Sequence, residues 1–158
     1  MKFVNRGTIT LGRSVIIRPS TRVYAGNSQS LVSFGNGTEI GEHSTISSNN
    51  SIVFGNDVLT GPHIFIADHN HAYENPLLSV SKQGVKCNPM DKVVIGDGSW
   101  LGTNVVIVGN VHIGKHCVIG ANSVVTKDIP DYSVAAGIPA KVIKRYDFEK
   151  KEWIKANK

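Results

Sequence analysis

From residue 95 onward an aliphatic side chain returns every six residues: Ile95, Leu101, Ile107, Ile113, Ile119 and Val125 head the segments IGDGSW LGTNVV IVGNVH IGKHCV IGANSV VTKDIP. A second block in a different phase reads FGNGTE IGEHST ISSNNS IVFGND VLTGPH IFIADH, led by Phe34, Ile40, Ile46, Ile52, Val58 and Ile64. A helical period of 3.6 cannot hold residues six apart on one face, whereas a strand period of two can, provided a bend interrupts it regularly. The fourth position supplies the bend: Gly37, His43, Asn49, Gly55, Gly61, Ala67, then Gly98, Asn104, Asn110, His116, Asn122, Asp128. All but Ala67 are residue types that accept positive φ readily.

Three such sides close a triangular coil of about 18 residues, and stacked coils pair every strand with the coils above and below, the arrangement of a β-solenoid. The aliphatic leaders then form the core. The fifth position, small in the later block (Ser99, Val105, Val111, Cys117, Ser123), fits an inward corner; the earlier block is looser there, with Asn50, Asn56, Pro62 and Asp68. Leu11, Ile17 and Val23 add one ragged coil at the N-terminal end. The pattern predicts a single-domain, all-β parallel solenoid of about five triangular coils over residues 8–140. One loop is extruded over residues 67–92. The tail, 141–158, is predicted to form a short helix capped by Asp147, with Phe148, Trp153 and Ile154 docking it.

Composition narrows the function. At 158 residues and 17.0 kDa the chain is one domain's worth, with 16 glycines for many turns. No window of 18 apolar residues and no apolar leader at MKFVNRGTIT is present, which predicts a cytoplasmic protein without a membrane span. Cys87 and Cys117 lack metal-type spacing and read as reduced thiols. The net charge of +5 is concentrated near the C-terminus, where seven of the 17 Lys and Arg residues fall within 141–158. That excess suits an anionic ligand, while no aromatic interleaving or zinc spacing points to nucleic acid.

The chemistry collects in the interruption, ADHNHAYENPLLSVSKQGVKCNPMDK. A long loop inside a compact domain is usually functional, and on a flat-sided solenoid it is the means of making a concave pocket. His69 stands where the last regular strand ends, which fixes its backbone while exposing its ring. A neutral imidazole can take a proton from a hydroxyl near neutral pH, so His69 is the candidate general base. Asp68 and Glu74 are candidates to orient it, and with His71 also to contact an acceptor. His43, His116 and Asn49 are expected to be structural corner residues, and His63 and His112 to lie on the outer face.

These residues resemble the hexapeptide-repeat acyltransferases with a left-handed parallel β-helix, more narrowly the galactoside, maltose and polysaccharide O-acetyltransferases. The resemblance rests on DHNH at 68–71, VVIGDGSWLGTNVVI at 93–107, HIGKHCVIGANSVVTKDIP at 112–130 and AAGIPAKVIKRY at 135–146. It implies the left hand of the coil, which periodicity does not supply. It also implies acetyl transfer from acetyl-CoA to a sugar or polysaccharide hydroxyl in a ternary complex, with His69 as base and no metal. For CoA it implies Trp100 along the pantetheine channel, the Thr103 backbone N–H at the thioester carbonyl and Ala121 at the pantetheine arm. Thr126 and Lys127 would then flank the adenosine end, and Lys141 and Lys144 would reach the phosphates. Members are homotrimers with sites between subunits. Serine or an amino sugar is the alternative acceptor. A zinc hydratase using His63, His69 and His71, or a non-enzymatic solenoid, are the alternatives of other classes.

Overall fold

The computed structural model describes residues 2–156, so Met1 and the last two residues of the tail, 157–158, lie outside it. The chain winds into a three-faced prism of short parallel strands. The first face stacks Lys2–Asn5, Arg22–Ala25, Thr45–Ser48, Phe65–Ala67, Val106–Val108 and Val124–Val125. Thr8–Leu11, Leu31–Phe34, Ser51–Phe54, Lys92–Ile95 and Val111–Ile113 make the second. The third holds Ile16–Ile17, Glu39–Ile40, Leu59–Thr60, Trp100–Leu101, Val118–Ile119 and Ser133–Gly137.

Inward side chains stack in columns because neighbouring strands pair in register. Val23, Ile46, Ile66, Ile107 and Val125 fill the first face's column, all fully buried. Phe34 and Phe54 stack at 4.9 Å in the second and continue into Ile95 and Ile113. Ile40, Leu101, Ile119 and Ala135 line the third.

The expected frame of core positions holds in the later block, where Gly98, Asn104, His116 and Asn122 have positive φ but Gly109 takes it in place of Asn110 and Asp128 does not; in the earlier block the frame slips. One turn takes 18 residues from Val93 to Val111 (111 − 93), but 20 from Leu31 to Ser51 (51 − 31). The two extra residues sit in the corner at Asn49 and Asn50, so the positive-φ positions that follow are Asp57 and His63 rather than Gly55 and Gly61. Asn49 is not among the positive-φ residues, whereas His43 and His116 are, with φ of 56° and 51°. Val58 and Ile64, expected as strand leaders, are buried at corners instead, and Thr60 and Ile66 take the column positions. His63 is likewise a corner residue, its ring stacked on His43.

The tail is a correction. Residues Ala140–Asp147 and Glu152–Lys155 are antiparallel strands, not a helix. The outermost parallel strand of the third face leaves a row of unpaired backbone groups, and the tail covers it by pairing with Ser133–Gly137. Asp147 caps as expected but closes a turn, accepting the N–H groups of Glu149 and Lys150 at 3.0 Å each. Phe148 and Trp153 dock edge-on against Tyr146.

Candidate functional site

The chain leaves the prism after Ala67 at the corner between the first and second faces and rejoins it at Lys92. Within this excursion Asn70–His71 pairs antiparallel with Val85–Lys86, and a short 3-10 turn spans Val80–Lys82. The excursion is anchored at both ends. The Asn50 side-chain amide donates to the carbonyls of Pro89 and Asp91, clamping the returning strand.

Asp68 anchors the outgoing end. Its carboxylate is fully buried and takes four donors: the Ser48 hydroxyl at 2.6 Å, the Asn49 and Asn50 N–H groups at 2.8 and 3.0 Å, and His69 Nδ1 at 3.0 Å. Burial pushes this carboxyl's pKa up, but the hydrogen bonds from His69, Asn49, Ser48 and Asn50 together outweigh it and hold the group below its ordinary value. Asp68 is therefore ionised and only accepts. Nδ1 of His69 must carry the proton, which leaves Nε2 with a lone pair. The His69 side chain keeps 17% of its surface exposed, enough for one face of the ring to meet a ligand.

His69 separates two clefts. One lies on the outside of the first face, with Thr45, Ser47, Phe65 and His71. The other is under the loop, with Tyr73, Lys86, Asn88 and Asp91. Of the candidate orienting groups, the structure selects Asp68, which is too buried to touch an acceptor itself. Glu74 is paired with Lys86 on the exposed loop; that ion pair lowers the Glu74 pKa and raises that of Lys86. His71 is exposed beside His69.

The candidate CoA residues fall into three groups. Trp100, half-exposed, belongs to an outward column on the third face that runs Leu59, Trp100, Val118, Val134, Lys144. Lys141 lies opposite Ala136 on the same sheet, and Lys155 lies opposite Lys144. Strand spacing puts Trp100 and Lys144 about 14 Å apart along that column. The bulge between Val134 and Ala135 brings both lysines opposite outward-facing residues.

Thr103 and Ala121 stack at the corner between the third and first faces. There Asn122 donates its N–H to the Thr103 carbonyl, and a Cβ on Gly61 would come within 2.8 Å of Thr103 N. At the opposite corner, backbone N–H groups are met by the side chains of the next coil: Asn36 by Asn56, Asn56 by Asp97 and Lys115 by Asp131. Among the described residues no acceptor meets the N–H of Thr103 or Ala121, so both donors are unspent. Thr126 and Lys127 follow the strand Val124–Val125 on the same edge of the prism as His69.

One chain therefore does not gather these residues. His69 and Lys127 lie along one edge, while Trp100, Lys141 and Lys144 lie on the face away from it. Among the described residues no group of three or more His, Cys, Asp or Glu could hold a metal ion, and His63 stands at a different corner from His69 and His71. Both cysteines are free thiols, and burial raises the pKa of each. Sequence reasoning missed Ser48, Asn50, Asn88 and Tyr73. The break in the repeat at SSNN was the available signal for the first two.

This geometry has counterparts in known proteins. Residues 92–127 match the family described as bacterial transferase hexapeptide (six repeats). WbbJ of Escherichia coli (strain K12), named as a lipopolysaccharide biosynthesis O-acetyl transferase, is 35% identical over 156 residues, covering 96% of this chain and 79% of that one. The chain belongs to the hexapeptide-repeat acyltransferases. A galactoside O-acetyltransferase of Lactococcus lactis subsp. lactis (strain IL1403) is also 35% identical, over 96% of this chain and 73% of its own. The solved structure of a galactoside acetyltransferase in complex with coenzyme A superposes with a TM-score of 0.76 at 28% identity, covering 94% of this chain and 72% of that chain. The prism is thus the left-handed β-helix of this family, and the protein is an acetyltransferase of the acetyl-CoA-dependent kind. No helix among the described residues is long and apolar enough to cross a membrane.

Proposed function

We propose that this acetyltransferase moves the acetyl group of acetyl-CoA to a hydroxyl of a sugar or surface-polysaccharide unit, with His69 as general base in a direct ternary complex. The observation that carries this reading is the imidazole whose Nδ1 is held by a buried, ionised carboxylate, leaving Nε2 free to accept a proton. The acceptor oxygen attacks the thioester carbon as its proton passes to Nε2. The tetrahedral oxyanion then collapses, the C–S bond breaks, and the departing CoA sulfur takes the proton back from His69. The unspent N–H groups of Thr103 and Ala121 are the kind of fixed donors that stabilise such an oxyanion and hold a pantetheine carbonyl. Lys141 and Lys144 supply charge for the CoA phosphates, and Thr126 and Lys127 flank the adenosine end.

Since His69 and Trp100 lie on different sides of one prism, a complete site requires a second copy, and a homotrimer places the His69 edge of one subunit beside the third face of the next. Two free thiols fit a reducing cytoplasm, where acetyl-CoA is available. The names of the relatives, O-acetyl transferases of lipopolysaccharide biosynthesis and of galactosides, support a carbohydrate acceptor.

The deciding experiment measures acetyl-CoA consumption with methyl galactoside, methyl glucoside, a polysaccharide repeat, L-serine and glucosamine. Faster release of CoA with the sugar hydroxyl acceptors is expected; release with serine alone, or N-acetylation of glucosamine alone, would replace the acceptor assignment. Within the same assay, the Lys141→Ala/Lys144→Ala protein is expected to raise the Michaelis constant for acetyl-CoA about tenfold with little change in kcat, because phosphate contacts are made equally in ground and transition states. An unaltered constant would move the phosphate site elsewhere.

A further inference from the structure

Beside the loop, on the coils that precede it, lies a groove that the proposed chemistry does not use. Five carboxamide side chains line it: Asn27, Gln29, Asn49, Asn50 and Asn88. Val85 and Pro89 give it an apolar patch, Cys87 also lines it, and among the described residues no charged side chain does. We infer that this groove is an acceptor subsite for a neutral, polyhydroxylated sugar ring adjoining the one that is acetylated, so that the acceptor is an oligosaccharide unit rather than a free monosaccharide. The inference rests on the carbohydrate reading given above.

The amides divide into two sets. Asn50 spends its side-chain N–H groups on the carbonyls of the returning loop, and Asn27 spends its amide on the Asn49 carbonyl and the Gln29 N–H. These two build the groove. The side chains of Asn49 and Gln29 make no hydrogen bond among the described residues, and the Asn88 side chain commits only its Nδ2 to Asp91, leaving Oδ1 open. A carboxamide offers a donor and an acceptor in one plane, which matches a pair of neighbouring hydroxyls better than it matches a phosphate or carboxylate. Asn49 is half-buried, where an unmatched amide is unfavourable unless a ligand or water meets it. The walls of Val85 and Pro89 suit the apolar face of a sugar ring.

Position supports the same assignment. Every candidate CoA residue lies on coils after the loop, between Trp100 and Lys144, whereas this groove is built from the coils before it and the returning arm of the loop, so the two ligands share no lining residue. Asn88 lines both the groove and the cleft containing His69. Asp68 links them structurally, since one carboxylate holds the His69 ring and the backbone of Asn49 and Asn50.

The test is binding of immobilised neutral glycans of one to four residues, beside sialylated and phosphorylated ones, by the wild type and by Gln29→Ala/Asn49→Ala. Retention on CoA resin shows that the variant is folded. Neutral glycans of two or more residues are expected to bind more tightly than methyl glycosides and charged glycans, and the double variant to lose about tenfold, as two hydrogen bonds of ordinary strength would dictate. Equal binding of one-residue and longer glycans, preference for the charged set, or an unchanged double variant overturns the subsite. If sugars are acetylated but longer glycans are neither bound more tightly nor acetylated faster than methyl glycosides, only the subsite falls; if no glycan is bound or acetylated, the carbohydrate reading falls with it.

Discussion

His69→Ala lowers the turnover of acetyl transfer at least ~100-fold while acetyl-CoA still binds, the usual scale for removal of a general base. The separation is expected because the ring stands at the loop corner, away from the face that carries Trp100 and Lys144. Asp68 selects this ring over His71. His69 is held through Nδ1 and largely sheltered, whereas His71 is exposed on the loop hairpin and among the described residues no buried acceptor holds its ring. His71→Ala should therefore cost much less. Steady-state kinetics of both variants, with CoA binding measured directly, check the assignment; a full loss in His71→Ala alongside an active His69→Ala would reverse it.

Asp68→Asn is expected to have an effect of similar size on turnover and a second one on stability. The asparagine has one side-chain oxygen where the aspartate offers two to four donors, so some of Ser48 Oγ, the Asn49 and Asn50 N–H groups and His69 Nδ1 lose their acceptor in a fully buried place. Leaving such donors unmet costs about 1–3 kcal/mol. An amide NH2 turned toward Nδ1 would also push the ring proton onto Nε2, the atom that must accept one, with a loss of ~100-fold.

The pH dependence follows from the direction of the shift. The folded carboxyl titrates below its ordinary value of 3.8, so its contribution to stability is complete above that value and disappears as the pH falls through the lower folded one. Acid unfolding of the wild type should thus be steeper below about pH 4 than that of Asp68→Asn. Parallel acid titrations of the two proteins by circular dichroism would contradict this account, and ring nitrogen shifts of His69 report the tautomer separately.

The regions where the sequence was easy and hard to read differ in a physical way. In the later block the hexad runs unbroken, and Leu101, Ile107, Ile113 and Ile119 lie in the core as the period requires. In the earlier block the core columns run two residues out of step with the hexad after Ile46. The polar stretch SSNN marks the place, but the reason for the longer corner is Asp68, distant in sequence, whose carboxylate organises the Asn49 and Asn50 backbone. The tail misled for a related reason. Lysines and a capping aspartate read as a helix in isolation, while the open strand Ser133–Gly137 beside it offered a ladder of unpaired groups that an extended chain could satisfy.

Amino-acid order alone determined the solenoid, the interruption and the histidine at its start, because stacked coils repeat a local pattern and each strand needs only its neighbours. What tertiary structure decided was which groups meet across coils: the carboxylate that orients His69, the clamp of Asn50 on the loop, the unspent N–H groups at Thr103 and Ala121, and the sheet face that carries the lysines. Those contacts join residues one or more turns apart, and their partners depend on corner lengths that a six-residue period does not encode.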